Sequence, residues 1–191
     1  AGKSTVLKII CGIMQTHSGS IFWKNKPISM QAHQMNKLGI CYLPQDANIF
    51  PSLAVEENLK LFGLSIKNKE AYKKRLEEIF DLFPILKARL KQRAGILSGG
   101  QQQMLALSRI LLVQPKLLLL DEPLNGLSSK VGEEFISKIK TISEKNKLAI
   151  IIIEHDIPRA LSISERTYLL KEGEVVLEEF SKNIEMKSLS F

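Results

Sequence analysis

Gly2-Lys3-Ser4-Thr5 reproduces the back half of the phosphate-binding pattern G-x-x-x-x-G-K-[ST]. In that pattern backbone amides at a helix start cradle phosphate, the lysine (Lys3) reaches the β- and γ-phosphates, and the hydroxyl (Ser4) ligates Mg2+. The same residues suit an ordinary helix start, because Ser and Thr are good caps. Further along, Leu117-Leu118-Leu119-Leu120-Asp121-Glu122-Pro123 sets two carboxylates at the end of an apolar run. At the carboxyl end of a buried strand, Asp121 would hold Mg2+ through its waters, and Glu122 would orient and deprotonate an attacking water. An Asp-Glu-Pro turn that merely opens the next loop has the same composition. In Leu97-Ser98-Gly99-Gly100-Gln101, Ser98 can cap a helix and the two glycines let backbone approach a bound anion. The flanking Leu97 and Gln101 argue against an incidental Ser-Gly-Gly loop.

Such groups work only if a scaffold brings them together. The unbroken aliphatic run 117–120 predicts a strand buried on both faces of a parallel sheet, and 148–153 predicts a second. Between them, 130–146 reads as a helix, so strand, helix and strand compose a parallel α/β core. Residues 4–13 read as a helix directly after the glycine-lysine loop. Residues 19–28 read as two short strands around a turn in which Asn25 takes a positive φ. A short strand is expected at 40–43, ending at Pro44-Gln45, and a helix at 101–113. The tail adds a helix near 157–163 and strands near 167–170 and 174–177. Residues 55–90 read as helices only, with Tyr72, Leu76, Ile79, Phe80 and Phe83 at helical spacing and Pro84 ending the run. This stretch reads as a helical insertion between strand-bearing halves.

Bulk composition narrows the classes. The chain has 191 residues, 45% hydrophobic and 25% charged, enough for one domain with a sizeable core. Its net charge of +7 invites a nucleic-acid reading. However, the lysines between 67 and 93 interleave with Glu70, Glu77, Glu78 and Asp81, as on a solvated helix face, so no nucleic-acid partner is expected. Cys11 and Cys41 fit neither a disulfide framework nor a metal site and read as small core residues in a reducing compartment. No apolar run approaches a membrane span, and no secretory signal precedes Gly2.

Taken together and in this order, the motifs resemble the ATP-binding subunits of ABC transporters over essentially the whole chain. Gly2, Lys3, Ser4 and Thr5 match the end of Walker A, Gln45 the Q-loop, and Leu97 to Gln101 the signature. Leu117 to Asp121 match Walker B, Glu122 the catalytic glutamate, and His155 the switch histidine. By itself His155, after the second buried strand, is a lone histidine of the kind that is usually structural.

The resemblance implies an α/β P-loop NTPase core at 1–45 and 97–191, with a helical subdomain at about 46–96. It implies that the family's first strands and half of its phosphate loop lie before Ala1. It also implies ATP and Mg2+ as ligands, Mg2+ through Ser4, Gln45 and Asp121. ATP would be bound by residues 2–5 and Gln45, and by Ser98, Gly99, Gly100 and Gln101 of a second subunit paired head to tail. Glu122 and His155 would be catalytic, and closure would pass through Gln45 and the helical subdomain to transmembrane permease subunits. The subunit would then sit in the cytoplasm, peripheral on the inner face of the cell membrane.

Residues 39–59 look like the lipopolysaccharide-export and branched-chain amino-acid branches. Gln102 to Leu107 and Glu154-His155-Asp156 lean towards amino-acid import; Pro44-Gln45 leans towards export. Import is the preferred expectation. The Asp common in the family's D-loop is absent, since Gly126-Leu127 is followed by Ser128-Ser129. The residue that stacks on adenine in the family lies upstream of Walker A, so no residue is assigned that role. Chromosome and repair ATPases of the family carry a long coiled coil where only a compact stretch separates Gln45 from Ser98. Translation-factor relatives carry two cassettes, and one is visible. A final alternative is an inactive remnant that binds ATP poorly and folds marginally.

Overall fold

The computed structural model of the chain describes residues 1–29, 31–46 and 49–184. Its centre is a parallel sheet in the order β3-β4-β5, formed by Ile40–Leu43, Leu117–Asp121 and Ala149–Ile153. The register pairs Ile40 with Leu117 and Leu43 with Leu120 on one side, and Leu117 with Ala149 and Asp121 with Ile153 on the other. Every residue of β4 is buried. Alternate side chains point to opposite faces of a strand, which divides the leucine run between two cores. Leu118 and Leu120 join the larger cluster with Leu105, Leu107 and Phe135; Leu117 and Leu119 join Leu7, Met35 and Ile153. A strand paired on both edges and packed on both faces has to be apolar throughout.

Helix α1 (Lys3–Ile10) and helix α2 (Ala32–Leu38) supply Leu7 and Met35 to the smaller core. The larger core lies under α3 (Val55–Gly63), α4 (Lys69–Leu82), α5 (Pro84–Ala88), α6 (Gly99–Leu111) and α7 (Ser129–Asn146). Two antiparallel hairpins flank the sheet: β1 (Ile21–Trp23) with β2 (Lys26–Ile28), and β6 (Arg166–Lys171) with β7 (Glu174–Phe180). Between β5 and β6 lies α8 (Ile157–Ile163). In the first hairpin Lys24 and Asn25 both have positive φ, 51° and 62°, the backbone of a tight two-residue turn.

Several elements differ from the sequence reading for definite reasons. Helix α1 ends at Ile10 rather than 13, because Gly12 turns left-handed at φ 73° just beyond it. Pro84 does stop α4, but it also occupies the first turn of α5, where a missing N–H costs nothing. Helix α2 was not expected. Its segment is mostly polar, only Met35 is buried, and a Gln31–Gln34 capping box starts it. Strand β5 was expected to be buried like β4, yet Ile151 is 41% exposed. Among the described residues β5 pairs on one side only, so it forms an edge. Cys11 and Cys41 are buried and unbridged, as expected.

The loop after β3 is tied to α3 by Asn58, which is fully buried. Its Oδ1 accepts from Phe50 N at 2.9 Å, and its Nδ2 donates to Phe50 O and Ala54 O, both at 3.0 Å. Asn58→Ala strands these backbone groups, so a denaturation curve should show a loss of about 1–3 kcal/mol. Asn58→Ala melting like the parent chain would mean that water replaces the amide at no cost.

Candidate nucleotide and metal site

Gly2 precedes α1 with φ 89°, a left-handed conformation that favours glycine, and its carbonyl accepts from Val6 N at 3.1 Å. This turn sets Lys3 and Ser4, both half-buried, in the first turn of α1. Thr5 is exposed on the same turn. Ser4 Oγ donates to Asp121 Oδ1 at 2.9 Å, joining residues 117 positions apart. That contact needs β4 to end at Asp121 beside α1, which its register with β3 and β5 dictates.

Asp121 is 3% exposed. Its second oxygen accepts a hydrogen bond from Tyr42 Oη at 2.8 Å, so hydroxyls reach both carboxylate oxygens. Burial raises the pKa of the Tyr42 phenol, and the hydrogen bond and charge of Asp121 raise it further. Tyr42 therefore stays protonated and donates.

Glu122 follows at φ 48°, an uncommon conformation for a residue other than glycine. Its N–H donates to Ile153 O at 3.2 Å, so the backbone of the neighbouring strand holds this turn. Parallel strands β4 and β5 end at the same edge of the sheet, which brings Glu122 and His155 together. Glu122 Oε1 lies 2.6 Å from His155 Nε2; the glutamate side chain is 14% exposed and the imidazole 64%. His155 is held from behind: its N–H and that of Asp156 donate to Glu154 Oε1 at 2.9 and 3.1 Å. Asp156 in turn caps α8 by accepting from Arg159 N at 3.0 Å.

Gln45 has an exposed side chain, and its backbone oxygen accepts from Gln103 Nε2 at 3.1 Å. Helix α6 thus reaches the loop that leaves β3. At the start of α6, Ser98 and Gln101 form a reciprocal capping box. Ser98 Oγ accepts from Gln101 N at 3.4 Å, and Gln101 Oε1 accepts from Ser98 N at 3.1 Å. Ser98 and Gly99 are exposed, whereas Gly100 packs against Val131 of α7. Among the described residues no hydrogen bond or ion pair joins residues 98–101 to Ser4, Asp121, Glu122 or His155.

The fold therefore brings Ser4, Asp121, Glu122 and His155 into one constellation and leaves the Ser98-Gly99-Gly100-Gln101 segment as a separate surface. Sequence reasoning missed Tyr42 and Gln103. Tyr42 reads in the sequence as an ordinary strand aromatic, and only the pairing of β3 with β4 sets it beside Asp121. Gln103 sits among glutamines, and only its 6% exposure separates it from its neighbours. In the stretch 39–59, Ala47 and Asn48 lie outside the described residues.

A hydroxyl and a carboxylate 2.9 Å apart, at a helix start and a strand end, are hard oxygen donors at a place where phosphate can bind. Comparison with known proteins identifies the family. The ABC transporter family model matches residues 1–125. A probable branched-chain amino acid transport ATP-binding protein, LivF of Archaeoglobus fulgidus, is 44% identical over 176 residues, covering 92% of this chain and 74% of its own. The high-affinity branched-chain amino acid transport ATP-binding protein BraG of Pseudomonas aeruginosa is 36% identical over 180 residues, covering 94% and 76%. Among solved structures, the ATP-binding cassette MJ0796, a dimer in a post-hydrolysis state with ADP and phosphate, superposes with a TM-score of 0.81. It shares 29% identity, and the match covers 96% of this chain and 82% of that one.

The chain belongs to the ABC transporter family, as an ATP-binding cassette of the class that hydrolyses ATP to power transport. No helix among the described residues is long and apolar enough to cross a membrane.

Proposed function

We propose that the chain is the ATP-hydrolysing subunit of an importer for branched-chain amino acids, working with Mg2+ as a head-to-tail pair on permease subunits. The observation that carries the site is the Ser4–Asp121 hydrogen bond, which joins the phosphate-loop end to the carboxylate strand. The similarity to LivF and BraG supports the cargo.

In this reading the backbone of Gly2 and the amides of α1 hold the phosphates with Lys3 and Thr5. Ser4 and Gln45 ligate Mg2+, and Asp121 holds its waters. The ion supplies charge neutralisation for the phosphoryl oxygens. Glu122 takes the proton of the attacking water, and His155 holds the reacting geometry at the γ-phosphate. Ser98, Gly99, Gly100 and Gln101 face the nucleotide of the second subunit. The exposure of Ser98 and Gly99, and the separation of the segment from the other site residues within one chain, support that role. Residues 1–45 and 97–191 form the nucleotide-binding core, and about 46–96 form the helical subdomain that meets the permease. That arrangement makes the subunit peripheral on the cytoplasmic face of the membrane.

Uptake measurements test the reading. Proteoliposomes holding the chain with its cognate permease subunits should accumulate leucine, isoleucine or valine when ATP is supplied on the subunit's side. ATP-driven lipopolysaccharide release without amino-acid uptake would move the chain to the export branch. At the nucleotide itself, Lys3→Ala should weaken binding of a fluorescent ATP analogue about tenfold, the loss of one charge-assisted contact to phosphate. Equal affinities would remove Lys3 from the phosphate site.

A further inference from the structure

Asp121 has two oxygens, and one of them, Oδ1, accepts from Ser4, the hydroxyl proposed to ligate Mg2+. The other oxygen is held by Tyr42, whose hydroxyl lies 2.8 Å from Oδ2. The terminal torsion of an aspartate is broad and roughly two-fold, so an untethered carboxylate can rotate. Tyr42 removes that freedom. Its ring rises from β3, hydrogen-bonded to β4, with Tyr42 in register with Leu119. A phenol donor on a sheet strand is a stiff tether, and swinging it away would leave both a half-buried hydroxyl and a buried carboxylate oxygen without their partner.

We infer that Tyr42 is a positioning residue for the metal side of this site: by fixing Asp121 Oδ2 it presents Oδ1 at Ser4 Oγ in the orientation that receives a hydrated Mg2+. This rests on the proposed role of Asp121. Tyr42 does not touch nucleotide or metal in this scheme. Its effect appears as metal affinity and as metal-dependent nucleotide affinity, with nucleotide binding in the absence of divalent ions unchanged.

The test is a Mn2+ titration followed by electron paramagnetic resonance, with a non-hydrolysable ATP analogue present. It compares the parent chain with Tyr42→Phe, Tyr42→Met and Asp121→Asn. Loss of one hydrogen bond to a charged group should raise the Mn2+ dissociation constant of Tyr42→Phe about tenfold. Analogue affinity in EDTA should match that of the parent. Tyr42→Met, also without a hydroxyl, should behave alike and covers the case in which Tyr42→Phe does not fold. If Asp121→Asn weakens Mn2+ binding and both Tyr42 variants bind it like the parent, Tyr42 has no positioning role. If the Tyr42 variants lose analogue affinity equally with and without Mn2+, their role is structural and the inference falls. If Asp121→Asn leaves Mn2+ binding unchanged, the assignment of Asp121 itself fails, and the inference with it.

Discussion

Glu122→Gln is expected to bind ATP like the parent chain and to hydrolyse it about 10²–10⁴-fold more slowly, the range over which a positioned base acts. The substitution keeps the shape and length of the side chain and removes only its capacity to take a proton. Glu122 is the acid in this site best placed for that task. Asp121 has both oxygens engaged by hydroxyls, so it is a poor proton acceptor for a new water. Glu122 pairs through Oε1 with His155 Nε2 at 2.6 Å, and its side chain retains 14% exposure, a path for a water. Its left-handed backbone, φ 48°, is sparsely populated, and conformations of this kind persist where surrounding structure holds them. Single-turnover hydrolysis alongside equilibrium ATP binding separates the two steps. Hydrolysis at the parental rate would mean that another group takes the proton.

The grouping of Ser4, Asp121, Glu122 and His155 was legible because each of them sits at the end of an element with a strong pattern. Leu117 to Leu120 read as a doubly covered strand, which set the carboxylates at its carboxyl end. His155 gained meaning only from the second strand, 149–153, whose parallel pairing with β4 puts both strand ends at one edge. What the chain did not reveal was support from side chains with no pattern of their own. Tyr42 reads as a strand aromatic, and nothing local says that its hydroxyl points at a carboxylate 79 residues away. Helix α2 escaped for the opposite reason: a polar segment with one buried methionine has no apolar stripe to detect. The partial exposure of β5 depends on which strand lies beside it, a tertiary fact that its isoleucine run does not carry.

Gly99→Ala should fold as well as the parent chain and lose about 10²-fold in ATP hydrolysis. Among the described residues nothing requires glycine at this position. Gly99 opens α6 outside the positive-φ set, and a Cβ built on it meets no atom within 4 Å. Alanine is the better helix residue by about 0.5–1 kcal/mol in a helix interior, so the thermal midpoint should hold or rise slightly. Gly100 provides the internal control. A Cβ there would come within 2.5 Å of Val131 Cγ1, and Gly100→Ala should cost about 1–3 kcal/mol through overpacking. Two adjacent glycines therefore differ: the packing of α6 on α7 requires Gly100, whereas no contact among the described residues requires Gly99, so any demand for glycine there would come from an object outside the chain. If that outside object is the phosphate of a nucleotide on a second subunit, a methyl at Gly99 shifts the approach by about 1 Å. Misplacement on that scale costs on the order of 10²-fold in rate. Gly99→Ala should accordingly bind ATP as a monomer with parental affinity and fail to form the nucleotide-bridged pair in size-exclusion chromatography. Full activity in Gly99→Ala would remove this backbone from the phosphate and with it the head-to-tail arrangement proposed for this surface.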